Sequence, residues 1–402
     1  MLPPASPQPP TVLRLFLSAL RLGLTSFGGP VAHLGFFREE YVARRRWLDD
    51  PAYADLVALC QSLPGPASSQ VIFGIGLACR GLAGGLACWT GFTLPSAIIM
   101  TACGYGAHNL VGIQHAGWLA GLKIAAVAVV AQAVWSMGSQ LCPDRSRLTM
   151  ALFAAVAILL MPTTVTPLLV ILAGGLLGWA RYRRIRIPTT PAPLPFALSP
   201  VRGAAAILLF FLLLGILPLA ASWTHWRGLG YFSGFYRAGA LVFGGGHVVL
   251  PLLQSQVVHR GWIDNDTFVA GYGVVQAMPG PLFSFAAYLG AAATQPPNGW
   301  LGALICLTGI YLSPLLLLAG AIPLWETLRR TRSAQAALRG ANAAVTGILL
   351  AAVYDPLWIT SIHTPRDLAL AISAFALLLV WRFPAWLIVV LSALAGQLWL
   401  HG

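Results

Sequence analysis

Apolar runs of about 20 residues or more, long enough to cross a bilayer, follow one another from residue 11 to the C-terminus. No stretch between them has the composition of a water-soluble domain. The chain is 58% hydrophobic and 9% charged, with a mean hydropathy of +0.77, far more apolar than soluble globular proteins. The fold class this predicts is an all-α polytopic membrane protein.

The net charge is +13, which read alone would suggest a nucleic-acid partner. Nearly all the basic residues are arginines placed between apolar runs, where loops facing the cytoplasm carry them. Topology explains the charge without nucleic acid. The six cysteines show no C-x-x-C spacing, so neither a disulfide framework nor a metal site is indicated, and no cofactor is expected. The lead MLPPASPQPP, residues 1–10, has no basic residue before the first apolar run and reads as a short disordered segment rather than a cleaved signal.

The chain repeats itself. RLGLTSFGGP at 21–30 and RAGALVFGGG at 237–246 share R-x-G-x-x-x-F-G-G. With a one-residue gap, Trp47, Leu48 and Asp49 then align with Trp262, Ile263 and Asp264, and QSLPGP at 61–66 with QAMPGP at 276–281. Ordered matches of this kind mark a tandem duplication. The first copy spans 11–181, a basic Pro-rich linker with one unpaired apolar segment spans 182–226, and the second copy spans 227–402. Each copy holds about six apolar segments, roughly 13 in all with the extra one.

If each copy crosses an even number of times, the extra helix inverts the second copy, and inverted repeats with broken helices are a recurring plan of secondary transporters. The expected orientation puts the N-terminus inside, with Arg80, Arg145, Arg147, Arg181, Arg202, Arg260 and Arg332 among the cytoplasmic residues. Arg44, Arg45 and Arg46 conflict with that count. Either the first segment is re-entrant or the positive-inside pattern is broken there.

An arginine at a membrane helix centre costs ~2.5–3.5 kcal/mol on insertion scales. Arg21 and Arg237 both incur it at one repeated place, which makes them candidate anion partners; the alternative is snorkelling to the interface. After Phe27 and Phe243 come the breaks Gly28-Gly29-Pro30 and Gly244-Gly245-Gly246. Where a helix restarts, freed N–H groups and the positive dipole end suit an anion; the competing reading is a kink or a close helix crossing. Gln61 with Pro64-Gly65-Pro66, and Gln276 with Pro279-Gly280-Pro281, interrupt a second segment in each copy. Ser68, Ser69 and Ser284 follow in the first turn. The expectation is two discontinuous helices per copy and four tips converging on one site.

Among unrepeated polar residues, Lys123 is the one lysine and aligns with Ala341 and Asn342; functional and snorkelling readings both fit it. His247 suits either an anion contact or an ordinary hydrogen bond. Asp55, Glu39 and Glu40 are candidate proton-coupling carboxylates that an interfacial position would also explain. There is no phosphate-binding loop for ATP hydrolysis and no nucleophile or metal constellation. These residues favour an anion-selective secondary transporter, not an enzyme. The alternatives are an enzyme acting on an anionic lipid headgroup and a non-transporting membrane scaffold.

The pairing of FGGPVAHLGFFREEYVARRRWLDD with FGGGHVVLPLLQSQVVHRGW, each followed by Q-x-[LM]-P-G-P, resembles the chromate ion transporter (CHR) family in its long two-domain form. The resemblance implies a multi-pass protein of the bacterial inner membrane that exports chromate, confers chromate resistance and draws on the proton motive force. The expected partners are the bilayer and chromate, with sulfate, of nearly the same size and charge, as the alternative oxyanion; a homodimer is left open, since oligomeric state is not readable from one sequence. The resemblance maps the family motifs onto Phe27 to Pro30, Gln61, Pro64 to Pro66, Phe243 to His247, Gln276 and Pro279 to Pro281. Gly246 replaces the Pro30 of the first copy, so the two halves need not play equal roles.

Overall fold

The computed structural model describes residues 10–27, 29–109, 117–161, 163, 166–183, 199–224, 226–242, 249–325 and 331–399. Every regular element among them is helical. The first half comprises α1 (Val12–Thr25), α2 (Gly29–Phe37, continued by a π-type turn, Arg38–Arg44), α3 (Asp50–Ser62), α4 (Ala67–Asn109), α5 (Gly117–Leu141), α6 (Arg145–Leu160) and α7 (Thr166–Tyr182). The unpaired segment is α8 (Pro200–Trp223). The second half repeats the order with α9 (Arg227–Leu241), α10 (Val249–Val257), α11 (Asn265–Gln276), α12 (Phe285–Ala291), α13 (Gly299–Ala321), α14 (Arg332–Ala352), α15 (Pro365–Leu379) and α16 (Ala385–Trp399).

The first two apolar segments of each half are hairpins. Past the break at Ser26, α2 retraces α1: His33 Nε2 lies 3.2 Å from the Ser26 carbonyl and Tyr41 Oη 3.3 Å from Ser18 Oγ. The next hairpin turns at Pro64-Gly65-Pro66, bringing Gly74 of α4 back against Leu56 of α3. Non-helical Arg80 and Gly81 then reverse α4 once more. Its second arm, 82–109, runs beside α1, packing Gly91 on Phe16 and Leu20, and Gly23 on the Phe92 backbone. Glycine at such crossings lets backbones touch, which is how helices without a water-driven force between them pack in lipid.

The second half folds likewise. Gln256 and Trp262 come back against Gly234, the Tyr231 and Trp262 rings sit 4.4 Å apart, and Tyr288 of α12 returns to Gly271 of α11. Gly290 and Gly302 abut across the turn into α13, and α13 runs beside α9 with Gly239 on Ile310.

The halves are inverted. Arg80 Nε donates to the Pro10 carbonyl at 2.8 Å, tying the turn in α4 to the start of α1. At the other end of the same helical arm, Gly104 abuts Ala291 and Ala292, and Tyr105 Oη accepts from the Trp300 N–H at 2.9 Å. The equivalent turns of the two halves thus lie about 37 Å apart along one 1.5 Å-per-residue helix. α8 supplies the reversal and is the most lipid-facing span, with 11% of its most apolar stretch buried.

The halves also interlock. α6 and α7 pack on α14 of the other half, with Gly347 on Ala151 and Gly174 and Gly178 on Gly340. In exchange, α16 packs on α5, with Gly121 on Ser392 and Gly396 on Gly117.

The hairpin resolves the conflict over Arg44–Arg46. Arg45 returns to line the same cleft as Pro10, Arg14 and Arg21, so this cluster shares the N-terminal end of the molecule. One expectation is corrected: Arg260, grouped with the cytoplasmic arginines, lies with Arg227, Thr294 and Gln295 at the opposite end. The cause is the same hairpin, which returns the chain to the side from which α9 starts.

Candidate functional site

The hairpin tips meet across the interface between the halves. Gly65 N–H donates to the Val242 carbonyl at 2.6 Å, and Gly280 N–H donates to the Ser26 carbonyl at 3.0 Å. Ser26 and Val242 hold the same place in the two copies, just before the glycine breaks, and Gly65 and Gly280 are the equivalent centres of the P-G-P tips. The proline-flanked turns need positive φ, +126° at Gly65 and +90° at Gly280. A Cβ at Gly65 would strike Pro314 and Gln70, and one at Gly280 would crowd Ser96 Oγ and the Gly23 carbonyl.

Gln70 completes the first tip. Fully buried, its Nε2 donates to the Pro64 carbonyl at 2.9 Å and to the Pro314 carbonyl of the other half at 3.1 Å. Ser69, Thr93 and Tyr311 form a buried hydroxyl group spanning both halves. Ser68 is buried as well. Ser96, Ser284 and Ser313 donate to the carbonyls of Thr93, Pro281 and Tyr236 at 3.0, 2.8 and 2.9 Å. The Ser284 and Gln70 bonds thus hold carbonyls of the two P-G-P turns, those of Pro281 and Pro64.

Other sequence-selected residues are distributed outward. Phe27 is half-buried against Trp386, ring centroids 5.7 Å apart. Gly29, at φ +79°, and Pro30 open α2; Gly28 lies outside the described residues, as do Phe243, Gly244, Gly245, Gly246 and His247. Gln61 is exposed, whereas Gln276 is buried beside Tyr272, so the repeated glutamines occupy different surroundings. Glu40 is buried between Arg45 (2.6 Å) and Arg44 (3.2 Å); Glu39 is exposed and Asp55 half-buried. Lys123 reaches from α5 into the other half, its Nζ 2.6 Å from Asp266 Oδ1.

Arg21 and Arg237 stand back from the tips. Arg21 is exposed on an open cleft of about 400 Å³ with Arg14, Arg45 and Trp47. Arg237 is half-buried near Arg260, and Arg260 opens on a cleft of about 320 Å³ with Arg227 and Trp262. Gln70, His33, Arg45 and Arg260 are among the site-region residues that sequence reasoning did not select, with Trp47, Arg227 and Trp262 in the clefts and Thr93, Ser96, Tyr311 and Ser313 at the tips. Gln70 alone left a usable signal, a polar amide inside the apolar run four residues after Pro66.

The family described as chromate transporter matches residues 13–179 and 229–397. The chain is 28% identical to a chromate transport protein of Pseudomonas aeruginosa over 98% of its length and 94% of the relative's. It is 26% identical to the chromate transport protein of Cupriavidus metallidurans over 94% of both chains. An uncharacterized transporter of Methanocaldococcus jannaschii is also 26% identical, over 97% of this chain and 94% of the relative. No solved structure matches the chain. Two matched regions that coincide with the two inverted halves cover most of the sequence, and the chain belongs to the chromate transporter family.

Proposed function

We propose that this protein carries chromate across the bacterial inner membrane by alternating access, outward and coupled to the proton motive force. Two relatives aligned over nearly their whole length are named chromate transport proteins. The observation that carries the mechanism is the reciprocal bonding of the hairpin tips, Gly65 to Val242 and Gly280 to Ser26. Equivalent tips from inverted halves form a central barrier, and equivalent clefts open at either end. Rocking one half against the other would open one side of such a barrier as it closes the other.

In this reading Arg21 and Arg237 supply charge that a dianion needs on leaving water. The glycine breaks and the Gln61, Gln276, Ser68, Ser69 and Ser284 neighbourhoods form its path between the clefts. The deciding experiment is uptake of radiolabelled chromate into inverted vesicles, with and without an imposed pH gradient, and with sulfate as competitor. Uptake that follows the gradient and resists sulfate supports the proposal. Absence of uptake with correctly inserted protein refutes it, and full competition by sulfate would reassign the cargo to oxyanions generally.

A further inference from the structure

We infer that the chain carries two oxyanion-docking clefts, one at each end, built around the same repeated arginine–tryptophan pair and occupied independently in a single conformation. The inference deepens the transport reading and rests on it for the identity of the anion.

The near cleft is formed by Arg14, Arg21, Arg45 and Trp47. The far cleft is formed by Arg227, Arg260 and Trp262, with Arg237 close to Arg260. Arg45 and Trp47 are the first-copy equivalents of Arg260 and Trp262, as Arg21 is of Arg237. The local geometry repeats as well: the Arg45 guanidinium lies 4.8 Å from the Trp47 ring centroid, and that of Arg260 5.5 Å from the Trp262 ring centroid. Stacking on indole holds a guanidinium in place; among the described residues Arg260 keeps its N–H edge for an oxyanion, whereas Arg45 Nε is engaged by Glu40 at 2.6 Å, so in the near cleft the anion's donors are Arg14 and Arg21.

The charge balance points to an anionic occupant. Arg45 is neutralised by Glu40, but among the described residues no carboxylate lies within ion-pair distance of Arg14, Arg21, Arg227 or Arg260. At the far cleft, surrounding protein and then the charge of Arg237 lower the Arg260 pKa. Like charges held together in this way are relieved by a bound anion. Both clefts fit a small tetrahedral oxyanion, and Thr224, Thr294 and Gln295 line the far one with further polar groups, which suits a free solute better than an acyl-bearing headgroup.

The test is equilibrium titration of the purified, delipidated full chain in neutral detergent with chromate, repeated with sulfate. The expected stoichiometry is about two per chain, falling to about one in Arg14→Gln/Arg21→Gln and in Arg227→Gln/Arg260→Gln, with the remaining site weakened less than about threefold, as distant sites behave independently. Gel filtration and circular dichroism establish that each variant is folded, and Arg14→Lys/Arg21→Lys should restore the second site at reduced affinity. Wild-type stoichiometry of one, or a variant that weakens both sites together, overturns the inference. Occupancy by added phosphatidylglycerol but by neither inorganic oxyanion also overturns it and makes the clefts lipid sites. A wild-type chain that binds two oxyanions yet moves no chromate in vesicles sinks the transport reading alone, whereas chromate flux with one site sinks the clefts alone.

Discussion

The Gly65 amide donates across the molecule to the Val242 carbonyl at 2.6 Å, and its repeat-equivalent, the Gly280 amide, donates to the Ser26 carbonyl at 3.0 Å. A broken helix leaves carbonyls without partners, and a P-G-P turn leaves glycine as the one residue of the three with an N–H to give. Each half therefore supplies a backbone donor to the other half's break, which at Ser26 joins the His33 imidazole of the same half on one carbonyl. The breaks, disruptive within one copy, become complementary once the copies are inverted.

Substituting the tip glycine tests this join. Gly65→Ala places a Cβ into Pro314 and Gln70 at a φ of +126°, so strain and overpacking together should cost about 3 kcal/mol or more. Gly81→Ala, also at positive φ (+61°, with ψ −154°) but with no atom within 4 Å of the added Cβ, carries backbone strain alone, about 1–3 kcal/mol, without the overpacking. Thermal unfolding in detergent should rank Gly65→Ala well below Gly81→Ala, with chromate flux lost only in the former. Equal losses would mean that the tip contact is incidental.

The sequence made some of this readable. Repetition exposed the duplication, and proline and glycine placed the interruptions to within a residue or two, because neither residue sustains a helix there. The hairpins were readable only as one of two options, the re-entrant reading raised by Arg44–Arg46, since an apolar segment such as 11–45 has the same hydropathy whether it crosses the bilayer or turns back. Partner choice was hidden too: that Gly65 meets Val242 depends on how two inverted halves dock, which no local pattern encodes. Arg21 was singled out for its cost in lipid, yet it is exposed on a cleft, and the hairpin that supplies that cleft was the missing information.

Gln70 should be the most sensitive residue of the joined hairpin tips outside the glycines. Its side chain ties the Pro64 and Pro314 carbonyls of the two halves together while fully buried. Gln70→Leu removes both bonds and leaves the Pro64 carbonyl without that donor, at about 1–3 kcal/mol. Gln70→Glu, unable to donate when ionised, should be at least as damaging. If both variants unfold and transport as the wild type does, the amide is not what joins the tips.

The Lys123–Asp266 pair should be asymmetric under mutation. Lys123 is 10% exposed at its side chain and Asp266 54%, so Asp266→Asn strands a buried ammonium whereas Lys123→Met leaves a carboxylate that water can solvate. Because one partner is solvated, the larger loss should be only about 1–2 kcal/mol. Denaturant or thermal unfolding of both single variants and the double variant would reveal the difference, and the double variant should recover part of the Asp266→Asn loss. A larger loss for Lys123→Met would contradict the pairing.

Asp144 predicts a pH dependence outside the spanning helices. It caps α6 by accepting from Arg147 N–H at 2.9 Å, and binds the Arg147 guanidinium at 2.6 Å and Tyr182 Oη at 2.8 Å. Partial burial raises its pKa, but these hydrogen bonds and the Arg147 charge prevail and hold it down to about 2, from 3.8. A depressed carboxylate stabilises the fold above its unfolded pKa and loses that contribution as pH falls through the folded value. Asp144→Asn should therefore lower the melting temperature at neutral pH, and its difference from wild type should shrink as pH falls from about 4 towards 2. A difference that stays constant across that window would leave charge no part in the cap.

Labelling from the two faces tests the inversion itself. Ala43 is exposed at the end of the first hairpin, next to the arginines that return to Pro10, and His259 is exposed at the equivalent return of the second hairpin. If α2 crossed the membrane as a continuation of α1, the two returns would be related by an odd or even count of spans that hydropathy leaves open. As hairpins in inverted halves, they must face opposite sides. In a background with the six native cysteines replaced, a membrane-impermeant maleimide should label Ala43→Cys from one face of sealed vesicles and His259→Cys from the other. Arg183→Cys, at the end of α7, should react from the Ala43 side, because α4, α5, α6 and α7 make four passes between them. Labelling of Ala43→Cys and His259→Cys from the same face would remove the inverted relationship on which the two clefts and the central tips depend.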